Sequence, residues 1–201
     1  MTRLAVFGGS FDPVHHAHLA LAQSALSALH LDQVRWVPAG NPWQKSRAMT
    51  PAEDRVALVE AAIADEPRFV LDRIEVDRSG PSYTLDTIRE LKAAHPGVQW
   101  VLLIGQDQYH GLHTWKDWQA LLALVELAVA NRPGADPQAR NGPHPAVQAF
   151  PHRMVPLPML DISSTDIRAR VAAGQDISRL VPPGVARYIE THGLYRSPVR
   201  S

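Results

Sequence analysis

Leu4-Ala5-Val6-Phe7-Gly8-Gly9-Ser10-Phe11-Asp12-Pro13-Val14-His15-His16-Ala17-His18-Leu19 is the stretch whose reading decides the fold. Leu4–Phe7 is a short apolar run of strand type, two glycines stop it, and a helical period of Leu19, Ala22, Leu26 and Leu29 starts after Pro13. A strand that passes through glycines into a helix is the opening unit of a parallel sheet with crossover helices. Further along, Val34–Val37, Phe69–Leu71, Trp100–Ile104, Leu127–Ala130 and Met154–Leu157 are predicted strands. Thr50-Pro51-Ala52-Glu53 predicts a capping box around a proline at the first helical position, followed by Val56, Leu58, Val59 and Ile63. Leu85, Ile88 and Leu91 stripe a helix that starts near Ser82 or Thr84 and stops at His95-Pro96-Gly97. Ser163-Ser164-Thr165-Asp166 opens a late helix that Gly174 ends, and Pro183 and Gly193 bracket the last one. The expected class is α/β, a parallel sheet with helices on both faces.

Composition narrows the function classes. The 201 residues fit one domain, 1–201, and the Pro/Gly-rich segment Arg132–Pro145 reads as a long surface loop within it. Twenty Lys+Arg against twenty Asp+Glu give a formal charge of zero, which argues against a general nucleic-acid binder with a basic surface. The absence of cysteine removes disulfides, thiolate nucleophiles and Cys-ligated metal centres together. The first apolar run is too short for a signal peptide, and the longest, Ala120–Ala130, is broken by Glu126 and falls short of the roughly 20 residues a bilayer helix needs. A cytoplasmic protein with no membrane partner is expected.

Chemistry concentrates at the first turn. A loop at the carboxyl end of a parallel strand is where ligands bind in such sheets, and the N–H groups of the following helix suit a phosphate. Gly8 and Gly9 would let a ligand approach the backbone, although glycines also end strands for purely local reasons. His15 and His18 lie three apart on one helical face, with Cβ atoms about 5–6 Å apart, whereas His16 points elsewhere. Two imidazoles there can donate to phosphate oxygens, more strongly when protonated. Lesser alternatives are that they cap and pack locally, or join Asp12 around a divalent ion, although zinc helices usually space their histidines by four.

GGSFDPVHHAHL resembles the HxGH signature of the nucleotidylyltransferase superfamily, and in particular of its bacterial nicotinate-nucleotide adenylyltransferases. A second signature of that family, ISSTxIR, is matched by Ile162-Ser163-Ser164-Thr165-Asp166-Ile167-Arg168. Pro81-Ser82-Tyr83-Thr84, Ile104-Gly105-Gln106-Asp107 with Trp115, Asn131-Arg132-Pro133-Gly134 and Gly193-Leu194-Tyr195 extend the likeness over essentially the whole chain. The resemblance implies a Rossmann-like fold of nucleotidylyltransferase type and transfer of AMP from ATP to nicotinate mononucleotide, giving deamido-NAD and pyrophosphate. It assigns catalysis to His15, His18 and Arg168, and ATP binding to Gly8, Gly9, Ser10, Phe11, His15, His18, Lys45, Ser164, Thr165 and Arg168. For the acceptor it implies Asn41, Tyr83, Thr84, Asp107, Trp115 and Arg132. Magnesium would enter held mainly by ATP phosphates and water, without a set of protein ligands.

The chain departs from the family pattern in two segments. Ala17 replaces the glycine of HxGH, and Trp43 and Gln44 replace a proline and a histidine in the loop that ends at Lys45. Other readings are a sister enzyme acting on nicotinamide mononucleotide or phosphopantetheine, a metal-dependent hydrolase built on Asp12, His15 and His18, or a nucleotide-binding module without turnover. Association into a homo-oligomer is left open.

Overall fold

The computed structural model describes residues 1–40, 49–131, 143–157 and 160–196. Its centre is β1 (Arg3–Gly9), paired in parallel with β2 (Gln33–Pro38) on one side and β4 (Gln99–Ile104) on the other. β3 (Phe69–Leu71) extends the sheet beyond β2, while β5 (Glu126–Asn131) and β6 (His152–Pro156) extend it beyond β4, giving the order β3-β2-β1-β4-β5-β6. In this doubly wound order the direction of winding reverses at β1, so the crevice beyond the carboxyl ends of β1 and β4 is the place for a ligand.

Central parallel strands are buried on both faces and therefore read as unbroken apolar runs. Ala5 and Phe7, with Val101 and Leu103, face a core completed by α1 (His16–Ala28), α2 (Ala52–Ile63), α7 (Ser164–Ala172) and α8 (Pro183–Thr191). Leu4, Val6, Leu102 and Ile104 face a second core under α3 (Thr84–Ala94), α4 (Gln106–Gly111), α5 (Trp118–Leu122) and α6 (Pro145–Gln148). The period-2 alternation of β1 thus divides one run of sequence between two layers of helices. None of the described helices is long and apolar enough to cross a membrane.

All six predicted strands are present, most extended by a residue or two; the last is shifted, starting at His152 and ending before Leu157. The buried face of α1 is rotated from expectation: Leu21, Ala22, Ala25 and Leu26 are inside while Leu19 is half-buried. The capping box expected at Thr50 does not form. Pro51 is the N-cap itself, Glu53 reaches out to Arg73 at 2.8 and 3.0 Å, and Thr50 hydrogen-bonds Tyr195. At α7 half of a capping box is made: the Ser163 hydroxyl accepts the Asp166 N–H at 3.1 Å, but the Asp166 carboxylate turns to Arg170. Pro145, expected at the end of the long loop, is instead the first residue of α6, which together with α4 and α5 is too short to show a period.

Leu103, fully buried on β4, tests this layering. Leu103→Ala should lower stability by about 2–5 kcal/mol, seen as a lower denaturant midpoint at unchanged slope.

Candidate active site

β1 ends in Gly8 and Gly9, and the loop that follows folds back on itself. Phe11 takes a left-handed backbone (φ 46°) and tucks its ring beneath the loop, where a methyl on Gly9 would stand 2.9 Å from the Phe11 ring. Phe11 packs edge-on against Phe7 and against the imidazole of His18, with centroids 5.5 and 5.3 Å apart. The aromatic floor under the histidines is therefore set by the same residues that end the strand.

His15 is the N-cap of α1, and its backbone N–H donates to Nδ1 of His18 at 3.2 Å. The two rings stack with centroids 3.7 Å apart. An Nδ1 that accepts this bond leaves the proton of the neutral ring on Nε2, where it is a donor. Burial, and secondarily the neighbouring His15, hold His18 well below the ordinary imidazole range. The resting His18 is thus a neutral donor, not the imidazolium that would bind phosphate most strongly.

The start of α7 lies against this loop although it is far away in sequence. The Ser164 hydroxyl donates to the Pro13 carbonyl at 2.9 Å, and Arg168 donates to the Asp12 carbonyl at 2.8 Å and to the Thr165 hydroxyl at 3.1 Å. Beneath, Arg55 is 1% exposed and spreads its guanidinium over the carbonyls of Thr50, Ser10 and Gly40 at 3.0, 3.1 and 3.3 Å. The Asp12 carboxylate, also fully buried, accepts the Tyr195 hydroxyl at 2.7 Å. Burial first of all pushes the Tyr195 hydroxyl far above its usual range, so it stays a donor. Asp12 is thereby committed to Tyr195, and among the described residues no group of three or more His, Asp or Glu side chains comes together around a metal position.

On the other flank of the same loop a cavity of about 160 Å³ opens between β1, β4 and the start of α3. Gly8, Gly9 and Ser10 form one wall, and Tyr83, Thr84 and Trp115 another. Its inner side is apolar, from Val6, Leu85, Leu102 and Ile104. Gly40 approaches the backbone of Glu75 so closely that a side chain there would overlap the Glu75 carbonyl, which fixes how near the β2 end comes to the segment before α3.

A family profile described as cytidylyltransferase-like matches residues 6–170. A protein of Methylibium petroleiphilum named "Probable nicotinate-nucleotide adenylyltransferase" is 47% identical over 202 residues, covering 98% of this chain and 93% of its own. One of the same name from Bordetella petrii is 46% identical over 198 residues, covering 98% of this chain and 100% of its own. The chain belongs to the cytidylyltransferase-like family, among its nicotinate-nucleotide adenylyltransferases. In fold it resembles the solved structure "Plasmodium falciparum nicotinic acid mononucleotide adenylyltransferase complexed with NaAD", with a TM-score of 0.80, 18% identity, and coverage of 97% of this chain and 98% of that one.

Against this family, the residues predicted from sequence fall into four groups. Gly8, Gly9, Ser10, Tyr83, Thr84 and Trp115 share the cavity, while His15, His18, Ser164, Thr165 and Arg168 gather around the same loop outside its wall. Phe11 is 1% exposed, which leaves only its backbone for a nucleotide, and Asp107 stands exposed on α4 while its neighbour Gln108 lines the cavity. Asn41, Trp43, Gln44, Lys45 and Arg132 lie outside the described residues. Ala17 is accommodated with its methyl group buried. Sequence reasoning missed Arg55, Glu75, Gln108 and Lys116. Arg55 left a signal: it is three and four residues before Leu58 and Val59, and so places a charge on the buried face of its helix.

In this adenylyltransferase the low affinity of folded His18 for a proton predicts a pH dependence. The unfolded ring takes up a proton below about pH 6.5 and the folded ring does not, so the His18 contribution falls as pH drops through that value. Glu75, whose carboxyl is pushed up by burial, acts in the opposite sense. The difference between wild type and His18→Gln isolates the imidazole: urea midpoints from pH 8 to 5 should decline less in the variant, and equal slopes would show that His18 is not held neutral.

Proposed function

We propose that the chain, as one nucleotidylyltransferase domain over residues 1–201, transfers AMP from ATP to nicotinate mononucleotide in the cytoplasm, giving nicotinate adenine dinucleotide and pyrophosphate. The observation that carries this reading is a single loop, Gly8 to His15, with phosphate-type donors on one flank and an apolar cavity with Trp115 on the other. In the reaction an oxygen of the mononucleotide phosphate attacks the α-phosphorus of ATP, the bond to the bridging oxygen breaks, and pyrophosphate leaves. The nucleophile arrives ionised, so no general base and no covalent intermediate are needed. Catalysis is in-line positioning plus stabilisation of charge on the transferring and leaving oxygens.

His18, with its proton on Nε2, and His15 hold phosphate oxygens of ATP, and the approach of an anion favours protonation of His18 where burial opposes it. Gly8, Gly9 and Ser10 admit the nucleotide to the backbone. Ser164, Thr165 and Arg168 meet the outgoing pyrophosphate from the start of α7, with Lys45 as a further cation at the ATP. Trp115 stacks on the pyridine ring, Thr84 at the start of α3 meets its carboxylate with Tyr83 beside it, and Asn41, Asp107 and Arg132 serve the acceptor from neighbouring loops. A divalent cation, when bound, would be held by the ATP phosphates and water and would supply neutralisation of their charge. The commitment of Asp12 to Tyr195 fits an ion carried by phosphate and water, not by a protein cage.

Pyrophosphate release from ATP that depends on nicotinate mononucleotide is the decisive assay; ATP binding without it would leave a nucleotide-binding module. His18→Ala should lower kcat by about 10²–10³ with the circular dichroism of the wild type, as for the loss of one oxyanion donor. An unchanged kcat would remove His18 from the chemistry. Trp115→Ala should raise KM for the pyridine nucleotide several-fold more than KM for ATP, measured by varying each substrate at saturation of the other.

A further inference from the structure

The apolar cavity carries two charged side chains in its wall, Glu75 and Lys116, in different circumstances. Glu75 is buried, its carboxylate accepts the Thr87 hydroxyl at 2.8 Å, and its backbone carbonyl accepts the Ser82 hydroxyl. It is bound into the protein on the α3 side. Lys116 stands at the rim with its side chain 47% exposed, directly after Trp115 in the chain. Its ammonium lies 4.3 Å from the centroid of the Tyr83 ring, and Tyr83 is itself part of the wall. The face of that ring holds the cation at the cavity mouth. Among the described residues its carboxylate partner is Asp86, 3.8 Å away and itself exposed. That separation is too long for a hydrogen bond, and an exposed pair of this kind contributes little. The ammonium therefore keeps donors for a ligand.

Nothing in AMP transfer requires a cation here, because the phosphates are met around His18 and α7. An apolar slot that ends in an ammonium suits a flat ring bearing a carboxylate. We infer that Lys116 is a specificity-determining residue: its ammonium pairs with the carboxylate on the pyridine ring of the acceptor and selects the acid mononucleotide over the amide. This rests on the proposed acceptor. An amide in the same place offers a dipole but no charge, and a charge-assisted bond is roughly twice as strong as a neutral one. For a half-exposed lysine, the expected discrimination lost with the charge is about three- to tenfold.

The test is calorimetric titration of wild type, Lys116→Gln and Lys116→Arg with nicotinate mononucleotide and with nicotinamide mononucleotide, at low salt and at high salt. Lys116→Gln should weaken the acid about three- to tenfold, leave the amide and Tm unchanged, and lose the salt sensitivity of the ratio, while Lys116→Arg keeps the preference. Equal weakening of both ligands would mean that Lys116 reads their shared phosphate, and no change in either would mean that it reads nothing; both overturn the inference. Turnover is scored separately. A shifted binding ratio in a protein that releases no pyrophosphate would sustain this inference and sink the proposed function, whereas normal turnover with an unmoved ratio sinks this inference alone.

Discussion

Two side chains at the start of α7, Ser164 and Arg168, hold the backbone carbonyls of Pro13 and Asp12 across separations of 151 and 156 residues in the chain. Much of the site depends on this contact. It seats the N-terminus of α7 against the N-terminus of α1, with Ile167 fully buried as the anchor behind it. The start of α7 brings the positive end of its dipole beside the loop that leads into α1, where the His16 N–H is bonded to the Leu180 carbonyl and, on α7, the Asp166 N–H to the Ser163 hydroxyl. The sheet order makes the contact possible: β6 is the far edge, and the chain leaving it must come back over the core to reach the end of β1.

A formal charge of zero then ceases to be at odds with substrates rich in phosphate. The donors are few, local and partly uncharged. Neutral His18, with its tautomer fixed by the His15 N–H, contributes a directed bond without the self-repulsion that two adjacent imidazolium rings would bring. Burial over Phe7 and Phe11 favours the neutral ring.

Much of this was legible in the sequence, and the remainder was unreadable for physical reasons. Strands such as Trp100–Ile104 were plain because central parallel strands are apolar on both faces. The two motif loops were plain as motifs, but their mutual contact was not, since no local pattern encodes a hydroxyl that meets a carbonyl 151 residues away. The proposed cap at Thr50 failed because Glu53 and Thr50 found tertiary partners, Arg73 and Tyr195, that outcompeted a local box. α4, α5 and α6 escaped because four to six residues do not complete two turns of a period. Lys116 gave no signal at all: a lysine after a tryptophan reads as solvated surface until the Tyr83 ring is seen beneath it.

Arg55 shows why a buried charge belongs at this point of the fold. The carbonyls of Ser10, Gly40 and Thr50 come from the ends of β1 and β2 and the start of α2, and all three accept from the Arg55 guanidinium inside the protein. A planar guanidinium presents five N–H groups in a fixed fork and reaches all three at once. An ammonium has three donors on one point and cannot span the same separations. Removing a charge from water costs several kcal/mol, and here the three bonds and the nearby negative charge of Asp12 offset it. The arrangement ties the turn that carries Gly9 and Ser10 to the turn that carries Gly40, which in turn packs on Glu75 at the cavity. The loop beside His18 and the wall of the cavity are therefore held in one register by a single buried residue.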